Sequence, residues 1–435
     1  MEKNEKGLRS VKTLESAKIA TKHQKEWFFN MKEKVKNGAM FAYTDGVPVL
    51  ILQSMGIETV SSPWWSAICS AKQMSAEYFG LLRANGYRDD LCSYCATALA
   101  CSMDETHAAA AWGGLPTPQI VAARSLCDST AKIFELIAQQ YGAKLYLMEG
   151  SVQHKIPPRW FENVAHNWPT WCDNEVLDEI EEELRGFIAR IEADTGLMFN
   201  ENELRTRMNR MNEQQEYYRK IRDLIASTYP APVSITDTVN SVMLAQWHQG
   251  TQWAVDHAKM FYEEIKAKVD KGESACPNEK VRLMWIGRGL WFNVGFYQYF
   301  QEKYGAVFVW SMYLAMGADA HARYHVDENP LRAIAAKEIL NTDIIHMPPW
   351  DCEWFVNQAK QNGIDGVVYL VPENCILNVE GSYFTERDLE KAGIPVLKLR
   401  ADPVDARKWN QETMTKAVGD FIEQRIYPKK GLKVE

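Results

Sequence analysis

Apolar and polar residues follow two rhythms along the chain, and the switches between them set out its elements. Residues 8–37 repeat apolar positions with helical spacing among mixed charges, and Gly38 ends the run. "AMFAYTDGVPVLILQSMGIETVSSP" then reads as strand, turn, helix and strand, with Gly46 and Pro48 at the turn and Gly56 after the helix. "WWSAICSAKQMSAEYFGLLRANG" predicts one helix, stopped by Asn85 and Gly86. Beyond a cysteine-rich stretch, "GGLPTPQIVAARSLCDSTAKIFELIAQQYGAKLYLMEG" gives a short apolar strand, a turn holding Cys127, a helix, Gly142 and a strand ending at Glu149 and Gly150. Strands that alternate with helices in this way predict a parallel α/β domain.

The rhythm changes after "VQHKIPPRW". Residues 175–226 are dense in charge, and Leu177, Ile180, Leu184, Phe187 and Ile191 fall on one helical stripe. This stretch reads as a helical insertion whose alternating charges form a solvated face. From residue 281 strands return in "VRLMWIG", "AVFVWSMY", "IDGVVYLVP" and "IPVLKLRAD", with helical stretches between them. The expected organisation is an N-terminal helical segment at 1–37, a first α/β domain at 38–155, the insertion at 156–280 and a second α/β domain at 281–435. Ligands of open parallel sheets lie beyond the carboxyl ends of the strands. Cys127, after "QIVAARSL", and Cys375, after "GVVYLVPEN", are both in that position.

The 435 residues suffice for two or three domains, and a net charge of −8 disfavours an extended nucleic-acid or anionic-membrane surface. The charged first 36 residues hold no signal-peptide core, and no window reaches about 18 uninterrupted apolar residues. Nine cysteines, an odd number spread over a long chain, then point to a cytoplasmic protein with reduced thiols.

Three of those cysteines crowd into "NGYRDDLCSYCATALAC". A zinc ribbon would need a second C-x-x-C, and a ferredoxin run would need closer repeats. A thioredoxin-like pair usually opens a helix, whereas "CSYC" follows a helix terminus and a polar "RDD". Cys69, Cys172, Cys276 and Cys352 read as structural or incidental thiols. One reading among those left open is that Cys92, Cys95, Cys101, Cys127 and Cys375 include ligands that converge, from loops far apart in sequence, on one cluster between two domains. "HARYH" sets His321 and His325 four apart, a spacing that suits zinc on a helix, but with no third ligand nearby they read as ordinary histidines.

"MGIETVSSPWWSA", "NGYRDDLCSY", "LCDSTAKIFELIAQQYGAKLYLMEG" and "GIDGVVYLVPENC", with the ending "RADPVDARKWNQETMTKAVGDFIE", resemble the benzoyl-CoA reductase and 2-hydroxyacyl-CoA dehydratase family. The likeness covers most of 38–155 and 281–425 and is closest to the larger cluster-bearing subunit. It implies two flavodoxin-like or Rossmann-like α/β domains with a four-iron four-sulfur cluster between them. Three cysteines would hold it, mapping to Cys92, Cys127 and Cys375, and one iron would lack a protein thiolate. Cys95 and Cys101 become bystanders, with replacement of Cys92 by Cys95 as the rival assignment. The resemblance also implies a related smaller cluster-bearing subunit and a separate ATP-hydrolysing iron-sulfur activator, and this chain has no G-x-x-x-x-G-K-[ST] loop of its own.

The family's dehydratases commonly carry "PE" after the second strand, where this chain has "SSPWWSA". Trp64 and Trp65 cannot act as bases, so they are expected to line a pocket for a flat acyl group or to pack in the core. Asp45 is the expected proton donor if burial raises its pKa, against a plain turn role before Gly46. "GRGLW" suggests a CoA-phosphate site of loop amides and Arg288, with Trp291 as a substrate contact. The leading expectation is a subunit of an ATP-dependent benzoyl-CoA reductase that forms a ketyl radical anion on an aromatic thioester. The alternatives are an α-type 2-hydroxyacyl-CoA dehydratase subunit and, in another class, a non-catalytic electron-transfer iron-sulfur protein.

Overall fold

A computed structural model describes residues 10–104, 110–125, 127–153, 155–163, 172–320, 329–341, 348–375 and 381–433. Two all-parallel four-stranded sheets form its frame. The first holds β1 (Phe41–Asp45), β2 (Glu58–Ser61), β3 (Ile120–Arg124) and β4 (Lys144–Met148) in the order β2-β1-β3-β4. The second repeats that order as β6-β5-β7-β8, with β5 (Val281–Ile286), β6 (Ala306–Ser311), β7 (Gly366–Leu370) and β8 (Val396–Leu399). This is the strand order of a flavodoxin-like half, and it places a topological switch point between β1 and β3 and another between β5 and β7. Helices cover both faces, so β3, β5, β6 and β7 are buried along their whole length, as their apolar runs require.

The first half carries helices α2 (Val49–Ser54), α3 (Ser62–Ala71), α4 (Ser75–Ala84), α5 (Ser93–Met103) and α6 (Asp128–Tyr141), following an N-terminal α1 (Glu15–Lys36). The single helix expected after β2 is broken between α3 and α4. Gln73 takes a left-handed φ of 62°, its amide bonds Ser70 O, and the Met74 amide reaches back to Cys69 O, which closes α3 in a Schellman turn. Tertiary contact holds this break. The Gln73 side chain donates to Phe292 O at 3.0 Å, and the Ser70 and Ser75 hydroxyls both donate to Val404 O, at 3.0 and 2.7 Å. The turn is thus the point where the first half docks on the second.

Between the halves stand the helices Asn174–Thr195, Glu201–Ser227, Ile235–Trp247 and Gln252–Asp270. The stripe Leu177, Ile180, Leu184, Phe187 and Ile191 faces inward and is buried. α1 packs on the last two of these helices. Its N-cap, Leu14, offers no side-chain acceptor, so Glu264 of the insertion satisfies the orphan amides of Glu15, at 2.6 Å, and Ser16, at 2.9 Å, while Asp237 accepts from Thr13 N–H just before the cap at 2.9 Å. None of the described helices is long and apolar enough to cross a membrane.

Three histidines meet where α1 crosses the insertion. His23 stacks on Trp253 at 3.6 Å, and His248 stands edge-on to His23, Trp27 and Trp253 at 5.1, 4.5 and 5.4 Å. His257 also stacks on Trp253, at 5.0 Å, and meets Ser16 O at 3.2 Å. Burial in this apolar stack pushes His248 down to about 3 and His257 down to about 4. Unfolded imidazoles protonate near 6.5. The unfolded chain therefore binds more protons below that pH, and the stability these rings contribute is full above 6.5 and lost as the pH falls toward the folded values. Going from pH 7 to pH 5 should cost about 2 kcal/mol for each of the two rings. Thermal unfolding at both pH values should show a smaller drop in Tm for His248→Phe than for the native chain, and equal drops would refute the assignment.

Candidate active site

Four of the expected residues hang from the two switch points. Asp45 ends β1, in register with Ala123 of β3, and Cys127 follows β3 by three residues. Arg288 follows β5 by two residues, and Cys375 lies five beyond β7. The chain can leave β5 this way because Gly287 has φ +104° and a Cβ there would stand 2.7 Å from Leu370 O. Arg124, the last residue of β3, is fully buried and pairs with Glu338 at 2.9 Å, which fixes the strand end that leads to Cys127.

The thiols occupy particular places on their elements. Cys92 is the N-cap of α5 and Cys127 the N-cap of α6, so the expectation that "CSYC" merely trails a helix is corrected: it opens one. Unpaired amides at a helix start favour an anionic thiolate. Cys92 is held down to about 7 by a hydrogen bond from the Cys95 thiol, with the amides of Cys95 and Tyr94 and the charge of Arg288 assisting and burial opposing. The same contact pushes the Cys95 thiol up, and burial adds to that shift. Thr130 Oγ1 lies 3.2 Å from Cys127 Sγ and 3.9 Å from Cys95 Sγ, and so joins the two helix starts. Asn374 donates to Leu91 O at 3.3 Å, which latches the Cys375 loop to the residue before Cys92. Cys92, Cys127 and Cys375 are all half-buried, whereas Cys95 and Cys101 are buried.

Arg288 belongs to the same cleft. Its guanidinium lies 5.0 Å over the Tyr94 ring and interacts electrostatically with both Cys92 and Cys375. The Trp291 indole donates to the Tyr94 hydroxyl at 2.5 Å. Three of the loop amides expected to face an anion are already spent: Gly289 donates to Tyr313 and Leu290 to Tyr297, each at 3.0 Å, and Trp291 donates to Pro403 O at 3.3 Å. Burial raises the Asp45 carboxyl to about 6, against the lowering pull of Arg288.

The two tryptophans of "SSPWW" part company. Trp65 stacks on Phe28 at 5.2 Å and donates to Cys101 Sγ at 3.1 Å, inside the core. Trp64 lines a cavity of about 110 Å³ beside the end of β1, with Trp27, Trp247, Thr44, Gly46 and Ser61 on its other sides. Trp247 stands 6.2 Å from both Trp64 and Trp291, so it links the cavity wall to the loop that carries Arg288. Sequence reading missed Tyr94, Thr130 and Trp247. Tyr94 stood between two cysteines, and the 15 tryptophans hinted at an aromatic wall, but neither signal names a contact. His321 and His325 lie outside the described residues.

Among the described residues, no three His, Cys, Asp or Glu side chains stand close enough for a single metal ion. A cubane spaces its thiolates more widely than one ion does, and the local chemistry suits its anionic ligands: two helix N-termini and a guanidinium face thiols drawn from three loops.

The model of the 2-hydroxyglutaryl-CoA dehydratase D-component family matches residues 46–424. The chain belongs to this family. The match takes in Cys92, Cys127, Cys375 and Arg288 and begins one residue after Asp45. A relative within reach is the (R)-phenyllactyl-CoA dehydratase alpha subunit of Clostridium sporogenes, 23% identical over 367 residues that cover 84% of each chain. Both comparisons name dehydratase components, which favours the dehydratase alternative over the benzoyl-CoA reductase that the sequence reading put first.

Proposed function

We propose that this D-component family member is the cluster-bearing alpha-type subunit of a 2-hydroxyacyl-CoA dehydratase. The observation that carries this reading is that Asp45, its carboxyl raised by burial to about 6, and the Arg288 guanidinium, which interacts with Cys92 and Cys375, stand at or just past the ends of β1 and β5, beside the strands β3 and β7 that lead to Cys127 and Cys375. Cys92, Cys127 and Cys375 would hold a four-iron four-sulfur cluster. When bound, such a cluster supplies one-electron chemistry at an iron that lacks a protein thiolate.

The overall reaction breaks the C2–OH and C3–H bonds, forms the C2=C3 bond and releases water, with no net change in electrons. The chain's own residues then have defined tasks. Asp45 is largely ionised at pH 7, so it takes the C3 proton and passes it to the departing hydroxide. It does so from the end of β1, which answers the absence of a carboxylate in "SSPWW". Arg288 offers its charge to the thioester oxygen or a CoA phosphate. Cys95, engaged with Cys92 and Thr130, supports the ligands rather than joining them. The relative's designation as an alpha subunit supports a second subunit here, and the missing P-loop supports a separate ATP-hydrolysing activator.

Anaerobic assembly with the partner subunit and activator should convert a 2-hydroxyacyl-CoA to the 2-enoyl-CoA, read by chromatography, while consuming far less than one reductant per product. Consumption of benzoyl-CoA alone, with reductant used stoichiometrically, overturns the proposal in favour of a reductase.

In Asp45→Asn, kcat should fall by about 10² to 10⁴ with the cluster retained. Because the ionised form is the active one, the native rate should rise with pH through about 6, and this limb should vanish in the variant. An unchanged pH profile removes Asp45 from the reaction.

Iron analysis provides a third test. Cys92→Ala, Cys127→Ala and Cys375→Ala should each lose most of about four irons per chain, whereas Cys101→Ala should keep them. Full iron in Cys92→Ala would transfer the ligand role to Cys95.

A further inference from the structure

Two short segments of the cleft repeat one arrangement. In "CSYC" Cys92 is the N-cap of α5 and Cys95 the third residue inside the helix; in "CDST" Cys127 is the N-cap of α6 and Thr130 the third residue inside. A side chain at that third position folds back over the cap, the reach by which a capping box meets the cap's own backbone. Here it meets the sulfur. Thr130 Oγ1 lies 3.2 Å from Cys127 Sγ, and the Cys95 thiol is hydrogen-bonded to Cys92. Position by position the two segments share only the leading cysteine, so what they have in common is one proton donor set three residues after each thiol.

Counting protons fixes the direction of these bonds. A sulfur that ligates iron is a thiolate and has no proton to give. Thr130 and Cys95 carry one each. The Thr130 hydroxyl therefore donates to Cys127 and the Cys95 thiol to Cys92, while the 3.9 Å approach of Thr130 Oγ1 to Cys95 Sγ brings the two donors together without using either proton. Arg288 adds a positive charge that acts on Cys92 and Cys375. One-electron reduction, with the electron supplied by the activator in the reading above, adds one negative charge to a cluster and its sulfurs. A donor aimed at a ligand sulfur favours that reduced form, and hydrogen bonds to the sulfurs are among the levers that set a cluster's potential.

We propose that Thr130 and Cys95 are positioning residues that raise the reduction potential of the bound cluster, each through one hydrogen bond to the thiolate three residues before it. The proposal rests on the reading of Cys92 and Cys127 as cluster ligands. It gives the second cysteine of "CSYC" a task that serine can share and alanine cannot, and it gives Thr130 a task that belongs to its hydroxyl and not to its methyl.

The test is an anaerobic redox titration of the assembled complex with dithionite, followed by electron paramagnetic resonance. The signal that Cys127→Ala removes belongs to this chain's cluster, and its midpoint is the readout. Thr130→Val keeps the branched shape and loses the hydroxyl. It should retain the iron of the native complex while the ratio of reduced to oxidised cluster at a fixed potential falls about tenfold, a midpoint lowered by about 59 mV for one electron. Thr130→Ser should return the native midpoint. Cys95→Ala should lower the midpoint by a similar amount, and Cys95→Ser should restore most of it. Native midpoints in both Thr130→Val and Cys95→Ala overturn the proposal. So does an equal shift in Thr130→Ser, which would assign the effect to packing. Iron lost from Thr130→Val but kept in Thr130→Ser overturns it as well, because the hydroxyl would then be a requirement of assembly. If Cys127→Ala removes no signal, the ligand reading fails and the proposal with it, whereas unmoved midpoints on an intact signal remove this proposal alone.

Discussion

The hydrogen bond from the Trp291 indole to the Tyr94 hydroxyl is the contact on which the cleft depends. Trp291 belongs to the loop after β5 in the second half, and Tyr94 to the first turn of α5 in the first half. Tyr94 also lies beneath Arg288, so one side chain sets the position of both the guanidinium and the helix start that carries Cys92. Both partners are buried, which makes loss of either costly: the remaining polar atom would have neither protein nor water to bond. The rest of the seam reinforces this point. The Gln73 turn, the two serines on Val404 O, the Asn374 latch and the 2.6 Å pair between Arg407 and Asp89 all join the same two halves. Thiols delivered by separate domains face each other only as accurately as that seam is held.

The second constraint is charge. Three thiols and a carboxyl in one recess would repel one another if ionised together, and burial alone would keep them protonated. Two helix N-termini and Arg288 act against that tendency, and they act unequally. Cys92 receives the amides of α5 and the charge of Arg288 and is shifted down, whereas Cys95, one turn deeper and beside Cys92, is shifted up. Asp45 feels burial more than Arg288 and settles near 6. A recess built this way sets the Cys92 thiol, drawn down to about 7, beside a carboxyl raised to about 6.

The sequence made the frame legible because a buried parallel strand is a local signal: an apolar run closed by a glycine or a polar turn. Asp45, Cys127, Arg288 and Cys375 followed from that frame, since each stands just past such a run. The break at Gln73 was not legible, because glutamine carries no turn signal and its left-handed backbone is held by Phe292 O, 219 residues away in sequence. Nor was the role of Cys92 as a helix cap, since "RDDLCSYC" lacks the Ser, Thr, Asp or Asn that usually marks a helix start at that position.

By itself the sequence set out the strands and the cysteines, carboxylate and arginine that stand just past their ends, because strand period and turn residues act over a few positions. It put reductase chemistry first, however, where the family match names a dehydratase component. Tertiary structure alone decided which thiols look at one another, which of two adjacent tryptophans lines a cavity and which fills the core, and whether Asp45 titrates near 4 or near 6. Those outcomes depend on Tyr94, Trp27, Trp247 and Arg288 arriving from four separate segments. The free energy of burial and charge that fixes them exists only once those segments are packed together.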